Sequence, residues 1–317
     1  MPENPDQQRL ARPIGVFDSG LGGLTVVREM LRTLPGERIV YIGDTAHVPY
    51  GGRPLEQVHG FADEISRYLI EDIGCKALVM ACNISSAVAF ESVQTRFSEI
   101  PMLGVIGPGA RAATGIARGG PIAVLATEGT VRSGAYARAI ERESPGTAIT
   151  SVACPLFVPL VEAGESDSPA ADEACREYLS RARGESDARV IVLGCTHYPF
   201  LLPALTRIAG AGVSFVDPAG ETVRELACLL KREGLAAPVP PTDGRVDGRP
   251  LAHSGESEQF DSPTGLAEPA VFHVTGDPRA FSRSARAFLG DLTTIEARAL
   301  HWDARTGRLN QHVEPAN

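Results

Sequence analysis

Short apolar runs alternate with amphipathic stretches along the first third of the chain. The run IGVFDS ends on a polar pair, and the residues after it carry Leu24, Val27, Leu31 and Leu34 at helical spacing. Two further apolar runs, RIVYIGD and ALVMACN, are each followed by another helical stretch. Continuously apolar strands that are each followed by a helix predict a parallel sheet with helices on both faces. The predicted strands are 14–19, 38–44 and 77–83, and the predicted helices are 20–34, 55–74 and 85–97.

The same alternation restarts after residue 113, and one segment of each half has the same pattern. LVMACNIS (78–85) and VIVLGCTH (190–197) both run from an apolar strand through a small residue to a cysteine and a hydrogen-bonding residue. This likeness predicts an α/β fold of two pseudo-symmetric, three-layer lobes with mostly parallel sheets. The predicted strands of the second half are 121–127, 148–153 and 189–196, with helices over 132–143, up to Tyr178 and over 199–209.

The remaining residues are expected to return the chain to the first lobe. A strand and helix over 214–234, with Asp217-Pro218 between them, begin this return. The segment 235–270 is rich in Pro, Gly, Ser and Asp, which predicts a mobile surface insertion with room for a short hairpin. A strand over 271–277 and a helix capped by Asp277 follow. The first lobe is thus predicted to comprise 1–105 and 216–317, and the second lobe 106–215.

Composition and charge narrow the class of ligand. The chain has 317 residues, 43% of them hydrophobic, and a net charge of -9. Such an acidic protein is not expected to bind nucleic acid or an anionic membrane, so a small molecule is the expected ligand. Neither a long apolar stretch nor a secretory signal is evident, and we therefore expect a cytoplasmic protein. The six cysteines show no C-x-x-C pair, which predicts reduced thiols and no metal site.

Polar residues stand where the predicted strands end, which is where open α/β sheets bind ligands. Cys82 and Cys195 occupy equivalent strand ends, so two facing lobes would present their thiols to opposite sides of one substrate. Inverting a carbon centre needs a base on one face and an acid on the other, and a thiolate with a thiol supplies both. Asp18 is the nearest candidate to assist Cys82, and His197 the nearest to assist Cys195. Other polar residues at these ends are Ser19, Asp44, Asn83, Thr127 and Thr196.

Common cofactor and hydrolase motifs are missing from the sequence. GLGGLT places Thr25 where a dinucleotide-binding loop has its last glycine, so G-x-G-x-x-G is not met. The sequence also lacks a P-loop, H-E-x-x-H and G-x-S-x-G. The glycines are instead expected to serve a tight turn and to expose helix amides that bind a carboxylate.

An ordered set of motifs resembles the glutamate racemase family. The blocks are GVFDSGLGGLTV, YIGDTAHVPYG, ACNISSA, VLATEGTVRSGAY, CPLFVPLVEAG, LGCTHYPFL, FVDPAGETV and VTGDP. The resemblance implies cofactor-independent interconversion of L- and D-glutamate, supplying D-glutamate for peptidoglycan, by a homodimer with its site between two lobes. It implies catalytic roles for Cys82 and Cys195, supported by Asp18, Glu162 and His197. It implies substrate contacts at Asp18, Ser19, Tyr50, Gly51, Asn83, Ile84, Thr196 and His197.

Two positions depart from this family. Ile84 stands where the family usually has threonine or serine, so a hydroxyl donor to the substrate is lost and only the backbone amide remains. The loss of one hydrogen bond to a charged group is worth about 1.5 to 3 kcal/mol, which would weaken the enzyme without abolishing its activity. Ser85 follows Ile84, but its side chain need not point toward the substrate as the family's threonine or serine hydroxyl does. His47 replaces a frequent arginine and is expected at the surface.

Three alternatives stay open at this point. The substrate of a racemase of the same superfamily could instead be aspartate, a hydantoin or another amino acid. A thiol hydrolase would use one cysteine with His197 as base and form a covalent intermediate. A binding protein on the racemase scaffold would hold D-glutamate without turnover, and Ile84 is the residue that favours it. Which cysteine acts on which enantiomer is left unassigned.

Overall fold

Strands and helices alternate along the first part of the chain, as predicted. The computed structural model describes residues 5–184, 186–238, 245–246, 249–250 and 269–311. The first elements are α1 (Pro5–Ala11), β1 (Ile14–Asp18), α2 (Leu24–Thr33), β2 (Ile39–Gly43), α3 (Leu55–Arg67), β3 (Ala77–Met80), α4 (Asn83–Arg96), β4 (Met102–Gly104) and α5 (Ile106–Ala117).

The pattern did not predict β4 and α5. Strand β4 has three residues, and α5 contains glycines and a proline that resemble turn chemistry in the sequence. Pro108 lies in the first turn of α5, where a backbone N–H has no helical partner to lose. A Cβ on Gly109 would lie 3.1 Å from Pro218 and 3.3 Å from Tyr136, so the glycine allows close packing of α5.

The second part of the chain repeats the alternation. The helix predicted over 132–143 is wrong at its start, because Gly134, with φ +67°, separates two helices. The helix predicted over 199–209 begins as a 3₁₀ turn, Tyr198–Leu201. The elements are β5 (Ile122–Ala126), α6 (Glu128–Ser133), α7 (Ala135–Glu143), β6 (Ile149–Ala153), α8 (Phe157–Glu162), α9 (Pro169–Arg183), β7 (Val190–Gly194), α10 (Leu202–Ala209), β8 (Ser214–Val216) and α11 (Pro218–Arg232).

The last part of the chain adds two strands to the first sheet. The expected cap is present, because the Asp277 side chain accepts a hydrogen bond from the Arg279 amide. The elements are β9 (Arg245–Val246), β10 (Arg249–Pro250), β11 (Ala270–Val274), α12 (Pro278–Leu289), β12 (Ala297–Ala299), β13 (His301–Trp302) and β14 (Leu309–Asn310).

Two parallel sheets form the framework and share one topology. The first has the order β12-β11-β2-β1-β3-β4 and the second the order β6-β5-β7-β8, with every pair parallel. Within each half, the order second-first-third-fourth is therefore the same. Apolar clusters pack on both faces of each sheet, which confirms the predicted α/β fold of two pseudo-symmetric, three-layer lobes. In this topology, ligands bind between the first and third strands.

The chain passes from the second sheet to the first lobe near Asp217. Strand β8 pairs with β7, whereas α11 buries Val223, Leu226 and Leu230 in the apolar cluster of the first sheet. The exact lobe boundaries remain a prediction. Leu235 is also buried in that cluster, so the first residue of the predicted surface insertion is not on the surface. Within the insertion β9 pairs with β10 antiparallel, and residues 239–244, 247–248 and 251–268 lie outside the described residues.

None of the described helices combines the length and the apolar character needed to cross a bilayer.

Candidate active site

A cleft that is partly open to solvent lies between the two sheets. Its walls come from the carboxyl ends of β1, β3, β5 and β7, the position that the shared strand order predicts for a ligand. The lining residues are Asp18, Ser19, Val48, Pro49, Tyr50, Gly51, Cys82, Asn83, Ile84, Thr127, Thr130, Val158, Gly194, Cys195, Thr196 and His197.

Cys82 enters the cleft as the residue that precedes α4. Strand β3 ends at Met80, and Cys82 has the extended backbone (φ −72°, ψ 123°) of a helix N-cap. The residue is 4% exposed. Burial and the nearby Asp18 carboxylate raise the pKa of Cys82 to about 12, although the hydroxyl and the amide of Ser85 oppose this rise. Cys82 is therefore a neutral thiol at neutral pH.

Cys195 lies directly after β7 and is paired with a histidine. His197 places its Nδ1 atom 3.8 Å from the sulfur of Cys195. On the other side of the ring, Nε2 lies 3.3 Å from a carboxylate oxygen of Glu162, in an ion pair without good hydrogen-bond geometry. Burial lowers the pKa of His197, but Cys195 and Glu162 outweigh it and raise the pKa to about 10. A cationic imidazole beside a thiol favours the thiolate.

Asp18 ends β1 and connects the two lobes. The residue is 1% exposed. One carboxylate oxygen accepts a hydrogen bond from the Gly20 amide at 3.1 Å, and the other accepts one from the Thr196 hydroxyl at 3.5 Å. The same carboxylate raises the pKa of Cys82 and contributes to the raised pKa of His197. Asp18 therefore acts electrostatically on both thiol sites.

Neutral donors make up most of the polar lining. The Tyr136 hydroxyl donates to the side-chain oxygen of Asn83 at 2.7 Å, which leaves the Asn83 amide nitrogen available to the cleft. From the second lobe, the hydroxyls of Thr127 and Thr130 lie 3.0 Å apart. No lysine or arginine is among the described residues that line the cleft. An anionic ligand would therefore be held by hydroxyls, amides and the N-terminus of α4.

Tyr50 is fixed in the cleft wall by a buried carboxylate. Its hydroxyl donates to Asp44 at 2.5 Å, and Asp44 also accepts hydrogen bonds from Thr275 at 2.6 Å and from Trp302 Nε1 at 2.9 Å. Burial raises the pKa of Asp44, but these bonds, with one from His47, outweigh it and lower the pKa. Asp44 therefore links the cleft to the C-terminal strand pair.

His47 lies only partly at the surface, with 26% of its side chain exposed. Its Nδ1 atom lies 2.9 Å from Asp44, and its ring stacks on Phe61 with centroids 4.1 Å apart. The edge of Trp302 completes the aromatic cluster, with a ring-centroid distance of 5.3 Å. The sequence does not reveal these contacts, because Trp302 is distant in the chain and Phe61 reads as an ordinary apolar helix residue.

Ile84 joins the two lobes at the edge of the cleft. A Cβ on Gly129 would lie 2.2 Å from Cδ1 of Ile84, so the isoleucine fills the space that the glycine leaves. The Gly129 amide also donates to the carbonyl of Gly51 at 2.8 Å. Ile84 therefore packs where α4, α6 and the Tyr50-Gly51 turn meet, which accounts for its apolar side chain.

Two of the glycines after β1 allow close packing, Gly22 against the second lobe and Gly23 within the first lobe. A Cβ on Gly22 would lie 2.1 Å from Thr196 Oγ1 and 2.7 Å from His197 Nδ1. A Cβ on Gly23 would lie 2.5 Å from that of Asp18. None of Gly20, Gly22 and Gly23 is among the residues lining the cleft, so their expected carboxylate-binding role is not supported.

The structure brings all but one of the catalytic and substrate-contact residues implied by the family resemblance into the cleft wall. The exception is Glu162, which ends α8, is 39% exposed in its side chain and reaches the site through His197. Sequence reasoning missed Tyr136, a helix residue, and the wall residues Val48, Pro49 and Val158, because it relied on strand ends. Among the described residues, no cluster of His, Cys, Asp and Glu could hold a metal ion.

Comparisons with known proteins agree with this architecture. The family model described as Asp/Glu/Hydantoin racemase matches residues 14–226. A glutamate racemase of Geobacter metallireducens is 47% identical over 280 residues, which span 88% of this chain and 93% of the relative.

Two solved glutamate racemases superpose over most of their length. The enzyme of Thermus thermophilus, in complex with β-chloro-D-alanine, gives a TM-score of 0.73 at 40% identity and covers 92% of this chain and 98% of its own. The enzyme of Francisella tularensis, in complex with D-glutamate, gives 0.74 at 31% identity, with coverage of 92% and 96%. These matches confirm the resemblance found in the motifs: the chain belongs to the Asp/Glu/hydantoin racemase family.

Proposed function

We propose that the chain interconverts L- and D-glutamate without a cofactor, with Cys82 and Cys195 as proton-transfer groups on opposite faces of the α-carbon. One observation carries the proposal: two thiols at equivalent strand ends, after β3 and β7, line a single cleft. One thiolate and one thiol are a complete acid–base pair for inverting a carbon centre. The curated relatives that match over most of their length are glutamate racemases.

The surroundings of the two thiols support one division of their roles in one direction of the reaction. In this direction Cys195, whose sulfur lies 3.8 Å from Nδ1 of His197, would act as the base, and Cys82, whose pKa is about 12, would act as the acid. The Cys195 thiolate takes the α-proton and becomes a thiol, while the electron pair of the C–H bond stays on the substrate. Cys82 then gives its proton to the opposite face and becomes a thiolate. With the other enantiomer as substrate the steps run in reverse. The Cys82 thiolate takes the α-proton and Cys195 gives one, which restores the starting protonation.

Recognition of glutamate would rest on neutral donors and one buried carboxylate. Asp18 is the acidic group in the cleft wall that can pair with the α-ammonium group of the substrate. The substrate carboxylates would accept hydrogen bonds from hydroxyls, amides and the start of α4. The related Francisella tularensis racemase has been solved with D-glutamate, which supports this substrate. The hydroxyls of Tyr50 and Thr196 already donate to Asp44 and Asp18, so the donors left in the cleft wall are Ser19, Asn83, Thr127, Thr130 and backbone amides, including that of Ile84.

Glu162 and His197 would assist Cys195 as an acid–base relay. The contact between Glu162 and Nε2 stabilises the imidazolium form of His197, which in turn stabilises the Cys195 thiolate. We also propose a homodimer that acts in the cytoplasm and supplies D-glutamate for peptidoglycan. These further points rest on the family to which the chain belongs.

Proton exchange at the α-carbon tests the function. Purified protein is incubated with L-glutamate in deuterated water without added cofactor, and optical rotation and deuterium incorporation are followed together. We expect conversion toward the racemate with solvent deuterium at the α-carbon. The proposal fails if a folded protein exchanges neither enantiomer, or exchanges only aspartate. D-glutamate binding by calorimetry without exchange would favour the binding-protein alternative.

A further inference from the structure

Ser85 is a fully buried serine in the first turn of α4 with an unused hydroxyl. The residue is 0% exposed, and its Oγ atom has no well-aligned hydrogen bond among the described residues. A helical serine usually returns its hydroxyl to a preceding backbone carbonyl. Ser66 does so to Ala62 at 2.6 Å, and Ser86 does so to Met80 at 2.8 Å. The Ser85 hydroxyl is therefore not engaged in stabilising its own helix.

The sulfur of Cys82 is the polar atom on which this hydroxyl acts. Cys82 is the N-cap of α4, so Ser85 is the third helical residue, whose amide N-cap side chains commonly meet, although Cys82 forms no cap hydrogen bond here. Burial and Asp18 raise the pKa of Cys82, and the hydroxyl and the amide of Ser85 are the groups that lower it. A neutral thiol is a weak acceptor, so a bond from Ser85 would form fully only when the sulfur is charged.

We propose that Ser85 is a positioning residue for Cys82, whose thiolate accepts a hydrogen bond from the Ser85 hydroxyl. Ser85 does not line the cleft, so it acts through Cys82 and not on the substrate. Its neighbour Ile84 offers the sulfur no hydroxyl, and Asp18 repels the negative charge. Ser85 thus stabilises the negative charge of the Cys82 thiolate from the protein interior. Formation of this thiolate during turnover rests on the proposed function, whereas the position of Ser85 in the first turn after Cys82 does not.

Alkylation of Cys82 tests the contact without using racemisation. In a Cys195→Ser background, the rate of iodoacetamide reaction at fixed pH is followed by mass spectrometry of the peptide that contains Cys82. Because the thiolate is the reacting form, Ser85→Ala should slow the reaction roughly ten- to hundred-fold, the range for a hydrogen bond to a charged group. Ser85→Ala adds no atom and leaves no partner unpaired, so the fold should be retained.

Two further variants separate this role from packing. Ser86→Ala removes a hydroxyl from the next residue of α4, and it should reduce stability through lost bonds to Met80 and Val105 without slowing alkylation of Cys82. Ser85→Thr keeps the hydroxyl and should retain most of the reactivity. The proposal is overturned if Ser85→Ala reacts as fast as the parent, or if Ser86→Ala slows the reaction equally.

Racemisation provides the second readout. In the chain with both cysteines, Ser85→Ala should lower kcat/KM equally for L- and D-glutamate, because the two enantiomers have equal free energy. The pH at which kcat/KM is greatest should move upward, since a more alkaline solution is then needed to ionise Cys82. If no variant racemises glutamate but Ser85→Ala still slows alkylation, the proposed function fails and the role of Ser85 stands. An unchanged pH profile in an active Ser85→Ala enzyme would overturn that role.

Discussion

The imidazole of His197 lies against the sulfur of Cys195, with Nδ1 3.8 Å from the thiol, and both residues are buried. Glu162 contacts the opposite ring nitrogen at 3.3 Å from a partly exposed position. Cys195 and Glu162 therefore lie on either side of the cationic imidazole of His197 at the end of β7. Among the described residues, no equivalent histidine lines the cleft next to Cys82, so the lobes share their topology while their thiol environments differ.

Glu162→Gln should move the alkaline limit of activity to lower pH. Burial lowers the pKa of His197, but Cys195 and Glu162 raise it to about 10, so the imidazolium persists at neutral pH and is lost as the pH rises through that value. Removing the Glu162 charge lowers this value. Because Glu162 is 39% exposed in its side chain, the loss of kcat/KM near neutral pH should stay below about ten-fold. Rate measurements across the alkaline range check this shift.

Glu165→Gln is the matched control for this prediction. Glu165 is an exposed carboxylate shortly after α8, and no contact with His197 is found in the described part of the chain. Its removal should leave the alkaline limit where it is. The relay from Glu162 through His197 is wrong if Glu162→Gln keeps the parental pH profile.

Trp302→Phe should weaken both stability and substrate binding. The change removes the 2.9 Å hydrogen bond to Asp44, which also fixes Tyr50 in the cleft wall. A hydrogen bond to a charged group is worth about 1.5 to 3 kcal/mol, so urea unfolding should show a loss of that order and KM should rise. The hydrogen bonds hold the pKa of Asp44 below its usual value, so the stability they give is present above that value.

The pH dependence of that loss is a further check on Asp44. As the pH falls through the lowered pKa of Asp44, its protonation removes this stabilisation from the parent protein. The difference in unfolding free energy between parent and Trp302→Phe should therefore shrink in acid. Tyr178→Phe, which alters a ring in the second lobe, should leave KM unchanged. A constant difference at every pH would show that the loss comes from packing and not from the Asp44 carboxylate.

Gly129→Ala should disturb the joint between the lobes. The new Cβ would lie 2.2 Å from Cδ1 of Ile84 and 2.9 Å from the carbonyl oxygen of Gly51. Overpacking of this kind costs about 1 to 3 kcal/mol, and displacement of the Tyr50-Gly51 turn should lower kcat/KM. Ile84→Val removes Cδ1 alone, and by itself should cost about 0.5 to 1.5 kcal/mol.

The double variant tests whether a clash with Ile84 causes the losses expected for Gly129→Ala. Combining Ile84→Val with Gly129→Ala should recover part of the lost stability and activity, because the closest clash is gone. Recovery should be incomplete, since the contact with Gly51 remains. Strictly additive losses, measured by urea unfolding of all four proteins, would contradict the packing role assigned to Ile84.

Strands and their polar ends were predictable because the physics that forms them is local. A continuously apolar run followed by a helical pattern gave β1, β2, β3, β5 and β7 close to their observed positions, and strand ends gave Asp18, Cys82 and Cys195. Glu162 and Tyr50 came instead from the family resemblance, since helix ends and turns carry no comparable local signal.

The features of the fold and the site that were not predictable depend on contacts between distant segments. Helix α5 contains turn-like residues, yet Gly109 is needed for its close packing against Pro218 and Tyr136. The bond from Trp302 to Asp44 spans most of the chain. The unused hydroxyl of Ser85 is visible only once Cys82 is seen as the cap of α4. Such features arise from tertiary packing, and a single sequence read by pattern does not contain them.

The α-proton exchange of Cys82→Ala and Cys195→Ala, each assayed with both enantiomers in deuterated water, tests the central claim most directly. If the two thiols serve opposite faces of one carbon, each variant should fold, as judged by circular dichroism, and neither should racemise glutamate. Racemisation at an appreciable rate by either variant would contradict the two-thiol mechanism.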